Sequence, residues 1–265
     1  MYEFNYHRAL SVDDAAKALA DKPDAKFLAG GMTILATMKQ RLASPSDLID
    51  LSGINDLVGV CEDNGSVIIG AMTTHAAVAA DQTVARMIPA LTTVAAGIGD
   101  AQVRNRGTIG GSLANNDPTA DYPAAVLALK GSIKTNKRTI QADDFFLSIF
   151  ETALEEDEII VSVGFPKPDA AAYVKFANPA SRYAIVGVMV AKTGGETRVA
   201  VTGAGQEGVF RATGLEQALS GSFDPSAVDA VTVPTDELNT DIHASAEYRA
   251  SLIKTLTKRA VKACV

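Results

Sequence analysis

Two pairs of adjacent glycines give this sequence its clearest potential for ligand chemistry. Gly30 with Gly31, and Gly110 with Gly111, each follow a short segment typical of a strand. Because glycine lacks Cβ, successive backbone N–H groups can converge on an anion, and the first pair begins a helical pattern whose N-terminus favours phosphate. Two such turns can together hold a diphosphate, although each alone is also typical of a plain structural turn.

Hydroxyl and guanidinium groups accompany both pairs. Thr33 follows the first pair, and Thr108 and Ser112 flank the second, so hydroxyl donors lie beside each turn. Arg104 and Arg106 precede the second pair, where they could neutralise phosphate charge. The same two arginines are equally typical of a solvated loop.

Two carboxylates, Asp117 and Asp121, follow the second pair. A carboxylate at this place could accept hydrogen bonds from the sugar or ring hydroxyls of a bound nucleotide. Asp121 also directly precedes a helical pattern, so capping of that helix is the alternative role.

A third glycine pattern matches the nominal dinucleotide-binding fingerprint. Gly203, Gly205 and Gly208 spell G-x-G-x-x-G after a predicted strand. Only a thin apolar segment, 228–233, could complete the βαβ unit that this fingerprint requires. We therefore predict a strand-to-helix turn here rather than an NAD site.

The composition excludes several functional classes. Lys and Arg total 24 against 31 for Asp and Glu, and the net charge of −7 opposes binding to nucleic acid or anionic membranes. The two cysteines cannot form a disulfide framework or hold an iron–sulfur cluster alone, and the three histidines lack the spacing of a zinc site. No signal peptide or membrane span is evident, so we expect a cytoplasmic protein without a metal site of its own.

The predicted elements alternate between helix and strand. A helix beginning at Ser11 and ending before Pro23, a strand, a helix after Gly31 and a second strand form a small α/β unit within the first 55 residues or so. The segment 97–121 is dense in Gly, Asn and Asp, so no long regular element is expected there. Further strands are predicted at 67–69, 132–135, 159–165, 173–176, 184–191 and 198–202, and further helices at 74–80, 83–96, 123–129, 213–219 and 248–263.

Three segments carry a resemblance to a known family. FLAGGMTILATMKQRLASPSDLIDL (27–51), IGAMTTHAAVA (69–79) and QVRNRGTIGGSLANNDPTADYPAAVLAL (102–129) closely resemble the FAD-binding medium subunit of molybdenum hydroxylases, the carbon monoxide dehydrogenase and xanthine dehydrogenase families. The resemblance covers nearly the whole chain. It includes a C-terminal glycine turn followed by an arginine, here 203–211.

The resemblance implies a fold and a domain organisation. The fold is α+β, an FAD-binding fold of the vanillyl-alcohol-oxidase (PCMH) type. Residues 1–167 would form the FAD-binding domain, with subdomains of about 1–55 and 56–167 that hold FAD between them. Residues 168–265 would form a C-terminal sheet-and-helix domain of the molybdenum hydroxylase flavoprotein type.

The resemblance also implies a function. The chain would be an electron-transfer subunit that passes electrons from [2Fe–2S] clusters on a small partner subunit through FAD to NAD, quinone, another carrier or oxygen. A large partner subunit would carry the molybdenum cofactor, in a dimer of heterotrimers. A stand-alone flavoprotein oxidase or reductase with its own small organic substrate, and a non-catalytic nucleotide-binding protein, are the alternatives.

The cofactor contacts implied by the resemblance fall on both glycine pairs and on later positions. No histidine lies inside either pair, so noncovalent FAD is expected, and His75 is expected to be structural. Met32 and Ala114–Pro118 depart from the usual family residues, which affects side-chain contacts more than backbone contacts. The implied contact residues are Leu28, Ala29, Gly30, Gly31, Met32, Thr33, Ile98, Gly99, Thr108, Ile109, Gly110, Gly111, Ser112, Asn115, Asp121, Ile160, Lys175 and Tyr183.

Overall fold

A computed structural model of the chain describes residues 1–22 and 24–264; Pro23, before which we expect the first helix to end, lies outside the described residues. The first elements are β1 (Asn5–Arg8), α1 (Val12–Ala20), β2 (Lys26–Leu28), α2 (Ile34–Lys39) and β3 (Asp47–Asp50). The three strands form a parallel sheet in the order β1, β3, β2. Ser11 caps α1, because its hydroxyl accepts a hydrogen bond from the N–H of Asp14.

The next part of the chain forms an antiparallel sheet and a group of short helices. Its first elements are β4 (Val60–Asp63), β5 (Ser66–Gly70), α3 (His75–Ala80), α4 (Gln82–Met87), α5 (Pro89–Ala96), α6 (Ala101–Arg106), α7 (Ile109–Asn115) and α8 (Tyr122–Ala128). They are followed by β6 (Ser132–Thr135), β7 (Thr139–Gln141), β8 (Phe146–Ser148), β9 (Glu151–Thr152) and β10 (Ile160–Pro166). The sheet order is β4, β5, β10, β6, β7, whereas β8 and β9 pair separately.

The C-terminal part is a four-stranded antiparallel sheet with two helices. Its elements are β11 (Ala170–Ala177), β12 (Ala184–Thr193), β13 (Glu196–Gly205), β14 (Gly208–Arg211), α9 (Thr213–Gly221) and α10 (Ala246–Ala263). The strands follow one another in sequence order. Short 3₁₀ turns occur at Leu51–Gly53, Asn55–Leu57, Ala142–Asp144 and Pro225–Val228.

The C-terminal sheet is buried on both faces. Tyr173, Met189 and Ala200 belong to the core that includes α5 and α8. Val188 and Val201 point the other way, into the core shared with α9 and α10. Burial on both faces explains why β12 is a nearly continuous apolar run rather than an alternating one.

The predicted strands and helices are present, with ends that shift by a few residues. Six additional strands, β1, β4, β7, β8, β9 and β14, were not indicated by the sequence pattern. The predicted helix 83–96 is two helices, α4 and α5, because the break falls at Ile88 and Pro89, and proline cannot continue the hydrogen bonding of the preceding turn.

The glycine-rich segment 97–121 contains more regular structure than we expect from its composition. α6 and α7 both lie within it, capped by the side chains of Asp100 and Thr108. Gly110 and Gly111 are therefore residues of the first turn of α7, not of a turn that follows a strand. At Gly110 glycine is required by packing, since a Cβ there would lie 2.6 Å from the Cβ of Ala71.

The G-x-G-x-x-G pattern is a β-hairpin, so the predicted strand-to-helix turn is wrong. Gly203 and Gly205 are residues of β13, and Gly208 begins β14. The segment 228–233 is not a strand, because it starts at the end of a 3₁₀ turn and continues as loop. The pattern therefore lacks the strand–helix–strand context of a dinucleotide site.

Within residues 1–22 and 24–264, no helix is long and apolar enough to cross a membrane. The same residues contain no group of three His, Cys, Asp or Glu side chains placed to hold a metal ion. Cys61 is exposed and Cys264 half-buried, and both are free thiols.

Candidate functional site

The first glycine pair connects β2 to α2 and lies directly against the second glycine-rich segment. Gly31 has φ +76°, a left-handed conformation that side chains disfavour. A Cβ at Gly30 would overlap the carbonyl oxygen of Arg106, so only glycine permits this approach of the two backbones. A Cβ at Gly111 would lie 3.3 Å from that of Ala29, which places the start of α7 against the same turn. The structure thus brings together the two glycine pairs identified in the sequence; the connection at Gly30 and Gly31 is the first turn, and the start of α7 at Gly110 and Gly111 is the second turn.

The backbone amides of the two turns differ in their availability. Among the described residues, none accepts a hydrogen bond from the N–H groups of Gly30, Gly31, Met32 or Thr33. These four donors precede or begin α2, where the helix dipole also favours an anion. The first turn therefore has the donors that a phosphate requires.

The amides of the second turn are already used inside the chain. Ile109 N–H donates to the Thr73 carbonyl at 3.2 Å and Gly110 N–H to the Ala71 carbonyl at 2.8 Å. Gly111 N–H donates to the Thr108 hydroxyl at 3.1 Å. The expectation that N–H groups of this pair converge on an anion is not met, because the segment 71–73 and the helix cap take them. The second pair instead allows close packing of α7 against the first turn.

A buried histidine packs against the residues that directly precede the second turn. His75 N–H donates to the Gly107 carbonyl at 2.9 Å, and its ring packs beside that of Tyr122. Burial and, to a lesser extent, the nearby positive charge of Arg104 together lower the pKa of His75 to about 4. His75 is therefore a neutral packing group at neutral pH, the structural role expected from the sequence.

A buried ion pair lies where the N-terminal part of the chain meets the C-terminal sheet. Lys175 Nζ donates to Asp121 Oδ2 at 3.0 Å and to the Gly97 carbonyl at 2.8 Å. The other carboxylate oxygen of Asp121 accepts a hydrogen bond from the Tyr173 hydroxyl. Burial raises the pKa of Asp121, and the bonds from Lys175 and Tyr173 oppose that rise.

This pairing bears on the capping role expected as the alternative for Asp121. Asp121 occupies the cap position of α8, but its side chain makes no capping hydrogen bond. The capping role is therefore wrong: the carboxylate instead fixes the ammonium of Lys175. Burial and the negative charge of Asp121 together raise the pKa of Tyr173, so Tyr173 stays protonated and can donate.

The remaining predicted residues occupy different environments. Arg104 Nη1 donates to the carbonyls of Ile98 and Gly99 at 2.9 and 3.0 Å, which holds that loop near Gly97. Tyr183 is half exposed, and its pKa is raised by burial and by the charges of Asp117 and Asp121. Leu28, Ser112 and Asn115 are half-buried, and Met32 and Thr33 are exposed.

Ile160 differs from the other predicted residues. Its side chain is 5% exposed and belongs to the hydrophobic core. The next residue in β10, Val161, accepts a hydrogen bond from the Ala71 N–H, and Ala71 in turn accepts one from Gly110. Ile160 therefore lies behind the second turn, with its side chain directed into the core.

Two side chains with long-range hydrogen bonds in this part of the chain, those of Tyr173 and Asn116, are not predicted from the sequence. Tyr173 lies two positions before Lys175, so the alternation of a strand places both on one face, a signal that was available. Asn116 adopts a left-handed conformation at the end of α7 and donates to the carbonyls of Ser148 and Glu151 at 2.8 and 2.9 Å. Its partners lie more than 30 residues away, and no local pattern indicates them.

Comparison with known proteins places this geometry in a family. Residues 2–168 match the family described as the FAD binding domain in molybdopterin dehydrogenase. Residues 171–264 match the CO dehydrogenase flavoprotein C-terminal domain. The chain belongs to this flavoprotein family.

Individual members of the family align with nearly the whole chain. The nicotine 6-hydroxylase medium subunit of Paenarthrobacter nicotinovorans is 34% identical, with 97% of this chain and 95% of the relative aligned. The carbon monoxide dehydrogenase medium chain of Hydrogenophaga pseudoflava is also 34% identical, over 98% and 96% of the two chains.

A solved structure extends the likeness to three dimensions. A chain of the Hydrogenophaga pseudoflava carbon monoxide dehydrogenase that lacks the Mo-pyranopterin moiety of its molybdenum cofactor superposes with a TM-score of 0.89 at 35% identity, covering 99% of this chain and 97% of that one. The predicted α+β fold of the FAD-binding PCMH type is confirmed. The assignment to the flavoprotein subunits of molybdenum hydroxylase oxidoreductases is confirmed as well.

Proposed function

We propose that this chain binds FAD noncovalently and acts as the electron-transfer subunit of a molybdenum hydroxylase complex. Electrons would pass from [2Fe–2S] clusters on a small partner subunit through FAD to an external acceptor. A large partner subunit would carry the molybdenum cofactor, and the complex would be a cytoplasmic dimer of heterotrimers. The division into domains at residues 167 and 168 is part of this proposal.

The proposal rests on the row of amides from Gly30 to Thr33, which have no hydrogen-bond acceptor within residues 1–22 and 24–264. Four backbone N–H donors at the start of a helix suit the oxygen acceptors of a diphosphate, and the positive end of the helix dipole favours its negative charge. The close approach of Ala29 to Gly111 places the start of α7 directly against this turn. The residues present therefore fit the diphosphate of FAD, with the first turn as the anion-binding element.

The charged residues near Gly97 fit the other end of an extended dinucleotide. Bound FAD supplies the redox chemistry that the side chains of this chain lack. Lys175, held by Asp121 and the Gly97 carbonyl, would place a positive charge beside the ring, and Tyr183 would cover it. Contacts of Ile98, Gly99, Asn115 and Asp121 with the cofactor are part of this proposal.

The number of cysteines and the names of the relatives both support the presence of partner subunits. Two free cysteines cannot hold even one [2Fe–2S] cluster, which takes four protein ligands. Aligned relatives are called a medium subunit and a medium chain, names that imply a larger and a smaller companion.

Metal and flavin analysis of the native complex tests the function. We expect the affinity-purified chain to bring a larger and a smaller chain with it, at one FAD, four iron atoms and one molybdenum per copy. Recovery of the chain alone, with FAD and with turnover of its own organic substrate, would contradict the proposal in favour of a stand-alone oxidase or reductase.

A further inference from the structure

The C-terminal sheet holds the segment that joins α7 to α8. The Thr202 hydroxyl lies 2.7 Å from the Ala120 carbonyl oxygen and 3.1 Å from that of Pro118. The Gly203 N–H donates to the same Pro118 carbonyl at 2.8 Å. Thr202 has no exposed surface, so these bonds are made away from water. Two adjacent residues of β13 thus hold the carbonyls of two residues, Pro118 and Ala120, more than 80 positions earlier.

The held segment ends at the ion pair. Ala120 directly precedes Asp121, whose carboxylate binds Lys175, and Lys175 in turn binds the Gly97 carbonyl. Within the segment, Asp117 accepts hydrogen bonds from the N–H and the hydroxyl of Thr119, so the segment is a defined turn. A shift of Ala120 would therefore displace Asp121 and, through it, the ammonium of Lys175.

The other side of the contact is rigid. Gly203 has φ +83°, and its carbonyl accepts a hydrogen bond from Arg249 Nη1 at 2.8 Å. Arg249, a buried residue of α10, also donates to the Ile185 carbonyl at 2.6 Å. The start of the G-x-G-x-x-G hairpin is thus tied to the helix behind it. The hairpin would therefore not move together with the segment 118–121 if the hydrogen bonds between them were lost.

We propose that Thr202 is a positioning residue for flavin binding, which acts by fixing Pro118–Asp121 so that Asp121 holds Lys175 beside Gly97. The inference rests on the proposed function, since it assumes that FAD binds at this site. The inference also gives the glycine-rich hairpin a role. The hairpin, which belongs to the C-terminal domain, stabilises the site without contacting the cofactor.

The test compares valine substitutions at two buried threonines of β13 in the full-length chain. Thr202→Val removes the hydroxyl and leaves the Ala120 carbonyl without its donor. We expect FAD affinity to fall by about 5- to 30-fold, the effect of one unmade buried hydrogen bond. Thr197→Val is the matched control, because Thr197 is buried in the same strand and, within the described residues, its hydroxyl does not bond to Pro118–Asp121. Its FAD affinity should equal that of the wild type.

Rescue and spectroscopy separate positioning from general stability. Thr202→Ser keeps the hydroxyl and should restore both the FAD affinity and the visible circular dichroism of the bound flavin. A purely structural role of Thr202 predicts a lower melting temperature with unchanged affinity and unchanged dichroism in the folded protein. If Thr202→Val does not fold, Thr202→Ala is measured in its place, with the same loss of affinity expected.

The outcomes distinguish this inference from the proposed function. Absence of FAD binding by the wild-type chain would overturn the proposed function and the inference together. FAD binding by the wild type, with equal affinity for Thr202→Val or with equal losses for Thr202→Val and Thr202→Ser, would overturn the inference alone.

Discussion

The contact between Lys175 and Asp121 gives both residues a structural role that their types and sequence positions do not indicate. As isolated residue types, a strand lysine and an aspartate before a helix are ordinary surface and capping groups. In the structure both are buried and bind one another, and Lys175 is further held by the Gly97 carbonyl. A buried pair of this kind fixes its members, since neither can leave without exposing an unpaired charge to a dry environment.

Replacement of Lys175 tests whether this charge acts on the flavin. Lys175→Met keeps the length of the side chain and removes the charge. We expect the flavin midpoint potential to fall by about 30 mV, equivalent to about 1.4 kcal/mol for a two-electron couple, because a cation stabilises the reduced anionic ring. Spectroelectrochemical titration measures the potential.

Lys192→Met is the control for this measurement. Lys192 lies in the adjacent strand β12 and stacks over Phe223, away from the ion pair. Its replacement should leave the potential unchanged. An unchanged potential together with an unchanged FAD affinity in Lys175→Met would show that Lys175 does not lie near the flavin.

At the scale of elements, the two glycine-rich turns have different roles. The first presents amides before α2 that have no acceptor in the part of the chain that the structure describes, whereas the amides of the second are bound to the segment 71–73 and to Thr108. The close packing of Ala29 against Gly111 joins the two turns into one structural unit. Each turn should therefore affect the same ligand, the first through hydrogen bonds and the second through its position.

Alanine substitutions separate these roles. Gly31→Ala places a side chain at φ +76°, which costs about 1–3 kcal/mol and should weaken FAD binding by about 5- to 150-fold. Gly111→Ala has ordinary backbone angles but places a Cβ 2.9 Å from the capping oxygen of Thr108, so a smaller loss is expected. The double variant should be non-additive, because the proposed function places both residues at one diphosphate. Flavin titration of the apoproteins measures all three.

The matched control is Gly221→Ala, at the end of α9. A Cβ there meets no atom within 4 Å, and the backbone angles are ordinary. Gly205 is unsuitable, because a Cβ at that position would lie 2.5 Å from the Gly208 carbonyl oxygen and would strain the hairpin. Weaker FAD binding in Gly221→Ala, with unchanged binding in Gly31→Ala, would place the site elsewhere in the chain.

Local patterns predict most of the longer elements and the presence of two glycine-rich turns. They do not predict the hydrogen-bond partners of the polar groups in those turns. Periodicity and capping residues indicate α1, α2 and α8, and the apolar run 184–191 indicates a strand. By contrast, the acceptor for Gly110 lies in the segment around Ala71, and the partners of Asp121 lie more than 50 residues later. Which amides stay free depends on such long-range contacts, and no spacing rule encodes them.

At the scale of the whole molecule, the C-terminal sheet and the N-terminal part share a core. Tyr173 and Met189 pack into the same cluster as α5 and α8, and Arg198 donates to the Leu127 carbonyl at 3.1 Å. The ion pair and the contacts of Thr202 lie at this junction. The sheet therefore contributes directly to the candidate site, although both glycine-rich turns lie in the N-terminal part.

Flavin analysis of the purified chain tests the central claim most directly. One equivalent of FAD should be bound per chain, and acid precipitation should release all of it into the supernatant, because no histidine or cysteine lies in either glycine-rich turn to form a covalent link. FMN in place of FAD would contradict the assignment of the first turn to a diphosphate. Flavin retained on the acid pellet would contradict noncovalent binding.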